Sequence, residues 1–213
     1  LAKQTAIYGI STIVVRFLNY LLTPYYTRIF TQGEYGVITD IYALIPFALV
    51  LLSMGMESSY FRFTTRAEEE GGDIATSKRK VFATTWGITS LAATLFFGLI
   101  WLFNGQISSA MGEVYVAHPE YVTIVAAIVM VDVWSIIPFS RLREQGKAMR
   151  FVLLKALSVM LNVGLAIGFG MAGLYDTSFG IGWVLIANLA ASIITFMALL
   201  PTTNRTQPRI NGA

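Results

Sequence analysis

An arginine stands in the middle of an apolar run. Arg16 is the central residue of 5–27, and the polar residues around it recur at helical spacing: Thr12 at i−4, Asn19 at i+3, Tyr20 at i+4, Thr23 at i+7 and Thr27 at i+11. The positions between them, including Ile13, Val14, Phe17, Leu18, Leu21 and Leu22, are apolar. On a helix this makes one hydrophilic stripe with a cation at its midpoint. A central arginine costs about 2.5–3.5 kcal/mol to insert into a bilayer, so it belongs against a bundle interior or a wet cavity. Two roles fit it: a functional group facing a cavity, or one half of a structural interhelical pair.

Asp132 is the acidic counterpart, also inside an apolar run and at a similar depth. It either neutralises Arg16 or takes up protons in a transport cycle, and the sequence leaves both open. Glu57 and Asp40 stand near opposite ends of a second apolar run, shallow enough to be solvated. Lys155, one turn into its run, is expected to snorkel to the nearer surface. Asn162 and Asn188 fit interhelical hydrogen bonding, and Gly164 with Gly168 forms a small-residue face for close helix packing. Pro46, at the centre of the second run, removes a backbone hydrogen bond and is expected to bend that helix.

The elements that must position these residues are six apolar stretches: 5–27, 37–56, 81–103, 121–140, 151–173 and 181–200. Each is close to the ~20 residues that cross a ~30 Å hydrocarbon core. The expected fold is therefore all-α, a polytopic transmembrane bundle over 1–201 followed by a polar tail or linker at 202–213. The composition agrees, with 55% hydrophobic and only 13% charged residues, against about 25% charged in an average soluble domain. Twelve of the fifteen basic residues fall on one side: Lys3, Arg62, Arg66, Lys78, Arg79, Lys80, Arg141, Arg143, Lys147, Arg150, Arg205 and Arg209. The connections on the other side carry only Arg28. The positive-inside rule then places both termini and the two basic loops in the cytoplasm. Tyr25, Tyr26, Tyr35, Trp101 and Tyr121 are expected at the outer headgroup level, and Tyr60, Phe61 and Phe82 at the inner one. The connection 62–80, with acidic Glu68–Glu70, Gly71-Gly72 and basic Lys78–Lys80, is expected to be a solvated loop.

Several functions are excluded. Cysteine is absent, which removes disulfides, thiolate metal sites and thiol catalysis. The only histidine, His118, precedes Pro119 in an external connection, where solvation explains it. No His/Asp/Glu cluster has metal spacing, no serine lies in a nucleophile motif, and no phosphate-cradling glycine motif is present. Neither a cofactor nor a metal is expected. The basic balance is explained by loop asymmetry, so no nucleic-acid partner is expected either. The chain starts a few residues before the first span without an initiator Met and stops in a polar stretch, as expected of a fragment.

The first two spans carry a resemblance. Residues 1–28, LAKQTAIYGISTIVVRFLNYLLTPYYTR, and residues 29–63, IFTQGEYGVITDIYALIPFALVLLSMGMESSYFRF, resemble the start of a bacterial polysaccharide biosynthesis transporter. That is the oligosaccharide flippase family of O-antigen type, in the superfamily that includes MATE exporters and the lipid II flippase. The features carrying it are the short basic N-terminus, the polar first span ending in a tyrosine- and arginine-rich turn, the GEYG turn at Gly33–Gly36, and the close at Gly55–Phe63. The resemblance is strongest over residues 1–65. It implies two lobes around a central cavity working by alternating access, of which this chain would be the N-terminal lobe, partnered by a C-terminal lobe of the same protein.

The resemblance also implies roles. Arg16, and at the outer rim Arg28, match cavity arginines that hold a substrate diphosphate. A lipid-linked glycan would find hydroxyl and amide partners in Asn19, Tyr20, Thr12 and Thr23, with its tail left among the membrane lipids. Asp132, Glu57 and Asp40 are the candidate coupling or charge-partner groups. The setting would be the bacterial cytoplasmic membrane, and the chain would not be an enzyme. A MATE-type cation or drug antiporter would share the fold but should concentrate acidic residues in its cavity, where the first helix here puts a cation. A membrane-embedded transferase needs acidic or histidine pairs that are missing, and a passive scaffold leaves the Arg16 stripe unexplained.

Overall fold

The structure is a computed structural model that describes residues 22–204, with side chains through residue 201. All regular structure among the described residues is helical. Segment 22–29 is α1, followed by α2 (Gln32–Ser53), α3 (Met56–Glu70), α4 (Ile74–Leu102), α5 (Asn104–Met111) and α6 (Glu113–Ala117). Then come α7 (Pro119–Glu144), α8 (Ala148–Met171), a single 3₁₀ turn (Leu174–Asp176) and α9 (Gly182–Asn204). Five helical segments are long and apolar enough to cross a membrane: α2 continued by α3, then α4, α7, α8 and α9. They correspond to the second to sixth expected spans. The first expected span lies outside the described residues except for its last turn and a half, in α1.

The exposed surface is that of a protein solvated by lipid. On α4 the exposed side chains Ile88, Leu91, Leu95, Leu99 and Leu102 follow one another at three- and four-residue steps. On α2, Leu44, Phe47, Val50 and Leu51 likewise share one exposed face, continued by Met54 just past its end. Large apolar stripes on the outside are costly in water and neutral in hydrocarbon. The five long apolar helices with this surface indicate a membrane protein.

Local sequence explains where the helices start and stop. Thr31 and Glu34 form a capping box at the start of α2, with the Thr31 N–H donating to Glu34 Oε2 at 2.8 Å and the Glu34 N–H to Thr31 Oγ1 at 3.4 Å. The GEYG segment is thus the first turn of a helix. Pro46 lies inside α2 without interrupting it, and the break falls instead at Met54 (φ 48°) and Gly55 (φ 67°). Both are left-handed, an uncommon conformation for methionine that glycine adopts freely.

The connection 62–80 is mostly helix, not a solvated loop. α3 runs to Glu70, the chain reverses over Gly71 (φ 72°) and Gly72 (φ 75°), and α4 begins at Ile74. Asp73 caps α4 by accepting from the Thr76 N–H at 3.2 Å. The Thr76 bonds hold the Asp73 carboxyl below its ordinary range. Charge pairing makes this hairpin: Lys78 donates to both Glu68 and, at 2.5 Å, Glu144 at the end of α7.

α7 is the centre of the bundle. It packs against α4, α9 and α2, while α8 packs mainly against α9. Ile128, Val133 and Ile137 on α7 and Val184, Leu185 and Ala187 on α9 are fully buried. α4 and α7 are also joined by reciprocal indole hydrogen bonds, Trp86 Nε1 to the Trp134 carbonyl at 2.9 Å and Trp134 Nε1 to the Ser90 carbonyl at 3.3 Å. Thr85 and Thr89, buried on α4, satisfy their hydroxyls on the carbonyls four residues back.

Candidate functional site: a polar cavity inside the bundle

Each helix walling the bundle interior turns a polar stripe inward. On α2 it is Tyr35, Thr39 and Tyr42; on α7, Asp132 and Ser135, continued past the Phe139 ring to Arg143; on α8, Lys155, Ser158 and Asn162; on α9, Asn188, Ser192 and Thr195. All step by three or four residues, the spacing that keeps side chains on one helix face. Together with Leu22, Thr23 and Tyr26 of α1 and Glu57 of α3 they line a half-open cavity of about 890 Å³. That is large for a small-molecule site, which is typically about 300–1,000 Å³.

The charges lie toward the end that carries the basic loops. Arg143, near the end of α7, pairs with Glu57 at the start of α3, and its guanidinium also lies 5.4 and 5.6 Å from the ring centres of Phe61 and Phe151. Lys155 holds its ammonium 4.3 Å from the centre of the Phe139 ring. Asp132, at the middle of α7, accepts from Ser192 Oγ at 2.7 Å. Further along, Asn188 Nδ2 donates to the Tyr42 hydroxyl at 3.5 Å. Beyond the cavity wall, at the same basic end, burial and the nearby Arg150 and Arg141 hold the Lys147 ammonium below the ordinary lysine range.

Of the residues that the sequence offers as ligand or charge-partner groups, Thr23, Asp132 and Glu57 line the cavity. So do Lys155, Asn162 and Asn188, expected from the sequence to snorkel or to bond between helices. Arg28 and Asp40 are exposed and do not line it. Arg16, Asn19, Tyr20 and Thr12 lie outside the described residues.

Several expectations are corrected. Glu57 is in an ion pair with Arg143, not simply solvated. Lys155 does not snorkel outward but lines the cavity, because its position on α8 shares a face with Ser158 and Asn162. Tyr26 and Tyr35 line the cavity, and Tyr26 is only 3% exposed, so they do not form a headgroup belt. Tyr60 and Tyr121 are likewise buried. His118 is not free in solvent: its Nδ1 lies 2.9 Å from Glu120 Oε1 and its ring stacks on Tyr121 at 4.8 Å. Gly164 and Gly168 have no neighbouring atom within 4 Å of where a Cβ would stand among the described residues, so no described helix packs closely there.

The cavity residues missed by sequence reasoning, Tyr35, Thr39, Tyr42 and Ser158 above all, had a signal. Each sits at i±3 or i±4 from another polar residue within an apolar helix. Among the described residues no group of three or more His, Cys, Asp or Glu could hold a metal ion. No family model matches the chain, and no curated protein and no solved structure matches it either.

Proposed function

We propose that the chain forms one lobe of a transporter that carries lipid-linked oligosaccharide units across the bacterial cytoplasmic membrane by alternating access. Both termini and the Lys78 and Arg143 end of the bundle face the cytoplasm, and a second lobe of the same protein completes the path. The observation that carries this is the cavity. Four long apolar helices each spend a full stripe of polar residues on one shared space, which structural packing alone does not require. Hydroxyls, amides and both signs of charge suit a ligand that combines sugars with an anionic linker. The resemblance of residues 1–65 to oligosaccharide flippases supports the same reading. The cation-exporter alternative expects an acidic cavity, whereas Glu57 and Asp132 are here matched by Arg143 and Lys155.

The test is translocation by the full-length protein in sealed vesicles. A lipid-linked oligosaccharide loaded on one face should become accessible to a glycosidase on the other only when the protein is present. Arg16→Ala should abolish this at normal membrane levels, and Arg16→Lys should retain part of it, since lysine keeps the charge but loses the guanidinium fork. Absence of protein-dependent translocation would end the transporter reading. Full activity in well-inserted Arg16→Ala would end the role of that arginine.

A further inference from the structure

Two buried polar atoms in the cavity wall, the Tyr26 hydroxyl and Asn162 Oδ1, have no hydrogen-bond partner among the described residues. Each such atom costs about 1–3 kcal/mol when left unpaired, so a ligand group that reached it would recover that cost. The Tyr42 hydroxyl lies beside both the Asn162 and the Asn188 amides and accepts from Asn188 Nδ2 at a long 3.5 Å. All four side chains line the same cavity.

None of the four carries a charge at neutral pH, and the charged groups lie elsewhere along the cavity. Asn162 is seven residues beyond Lys155 on α8, about 10 Å at the helical rise, and Asn188 is one turn beyond the Ser192 that binds Asp132. An anion bound among these four would be desolvated without a counter-charge. A purely apolar ligand would leave both orphan atoms unpaired. A hydroxyl-bearing neutral ring fits, because each hydroxyl can donate and accept, an asparagine side chain offers an acceptor beside two N–H donors, and a phenol does both. Tyrosine rings supply flat apolar surface for the C–H faces of such a ring.

We propose that Tyr26, Tyr42, Asn162 and Asn188 form the subsite for the uncharged sugar portion of the ligand, separate from the charged end of the cavity. The proposal rests on the transporter reading. It predicts that the cavity grips a lipid-linked glycan at two levels, with the sugar contributing affinity that the diphosphate alone does not supply.

The experiment uses the full-length protein in lipid nanodiscs and two probes: polyprenyl diphosphate, bare or bearing one N-acetylhexosamine. Binding is read by native mass spectrometry, with thermal unfolding as the check on folding. Wild type should bind the sugar-bearing lipid roughly tenfold more tightly, about 1.4 kcal/mol. Asn162→Leu and Tyr26→Phe should bring the two lipids to the same affinity. If Asn162→Leu fails to fold, Tyr26→Phe decides, since it removes a single oxygen. Equal affinity of the two lipids for wild type overturns the subsite while leaving the transporter reading standing. A sugar preference that survives in the folded variants overturns the assignment to these residues. Binding of neither lipid overturns the transporter reading and the subsite with it.

Discussion

α7 and α8 have nearly the same length, 26 and 24 residues. Both are apolar enough to cross a bilayer, yet 56% of the most apolar window of α7 is buried in the protein against 11% for α8. Hydropathy does not distinguish them, and in lipid it has no reason to, because acyl chains are as apolar as leucine. What differs is the shape of the side chains. The buried positions of α7 are dominated by Val122, Ile128, Val129, Val131, Val133 and Ile137. β-Branched residues have few rotamers to lose and present a rigid surface to the neighbouring helices, α4 and α9 above all. α8 divides into two faces: Met149, Leu153, Met160 and Met171 are exposed, while Lys155, Ser158 and Asn162 line the cavity. The central helix is built to be packed against. The peripheral one separates lipid from the polar interior.

The largest expected effect comes from cutting equivalent volumes from the two. Ile128 is fully buried and Leu153 is 62% exposed. Ile128→Ala should cost about 2–5 kcal/mol, the usual penalty for a truncated core aliphatic. Leu153→Ala should stay within about 0.5 kcal/mol, as surface substitutions do. Thermal unfolding in one detergent compares them directly. Equal losses would mean that α8 is packed on its outer face as well, and the contrast would fall.

A smaller effect separates the polar groups. Asp132 of α7 is tied to α9 by the 2.7 Å bond from Ser192, so Ser192→Ala should cost about 0.5–1.5 kcal/mol. Lys155 of α8 has no carboxylate within ion-pair distance among the described residues; its ammonium lies against the Phe139 ring and is attracted at longer range by Asp132. Lys155→Met keeps the stem and removes an ammonium whose desolvation offsets both its cation–π contact of about 0.5–2 kcal/mol and its attraction to Asp132. Stability should therefore hold or rise. A loss larger than that for Ser192→Ala would place Lys155 in a structural network and remove it from the site.

The parts of this fold legible in the sequence are those governed by composition over long windows. The stretches 37–56, 81–103, 121–140, 151–173 and 181–200 each fall within or close to one of the five long helical segments. The start of α2 also carries a local signal, since the capping box of Thr31 and Glu34 makes GEYG the first turn of the helix and not a turn before it. The continuation of α3 to Glu70 was obscured because its charged residues look like a loop. They are instead the solvated faces of a helical hairpin held by Lys78. Side-chain direction was the least legible. A tyrosine near a span end suits both a headgroup belt and a cavity wall, and only the packing of α1 against the bundle sends Tyr26 inward. Lys155 is similarly ambiguous, because its long stem can reach either outward or along the polar face of α8.

The smallest perturbation tests the two faces of α8 with almost no energetic cost. The chain has no cysteine, so a single introduced thiol reports alone. Ser158 lines the cavity, and Met160, two residues on, is 67% exposed on the outer face. A step of two residues turns a helix by about 200°, so the pair samples opposite sides at nearly the same depth. Alkylation by a water-soluble maleimide requires the thiolate, which forms only where water reaches the sulfur. Ser158→Cys should therefore react quickly and be protected by a ligand that fills the cavity. Met160→Cys, surrounded by acyl chains, should react slowly in bilayers and speed up in detergent that admits water. Both proteins should unfold within a degree or two of wild type, since neither change removes a buried contact of consequence. Fast, protectable labelling at Met160→Cys with silence at Ser158→Cys would invert the helix and move the cavity to its other side.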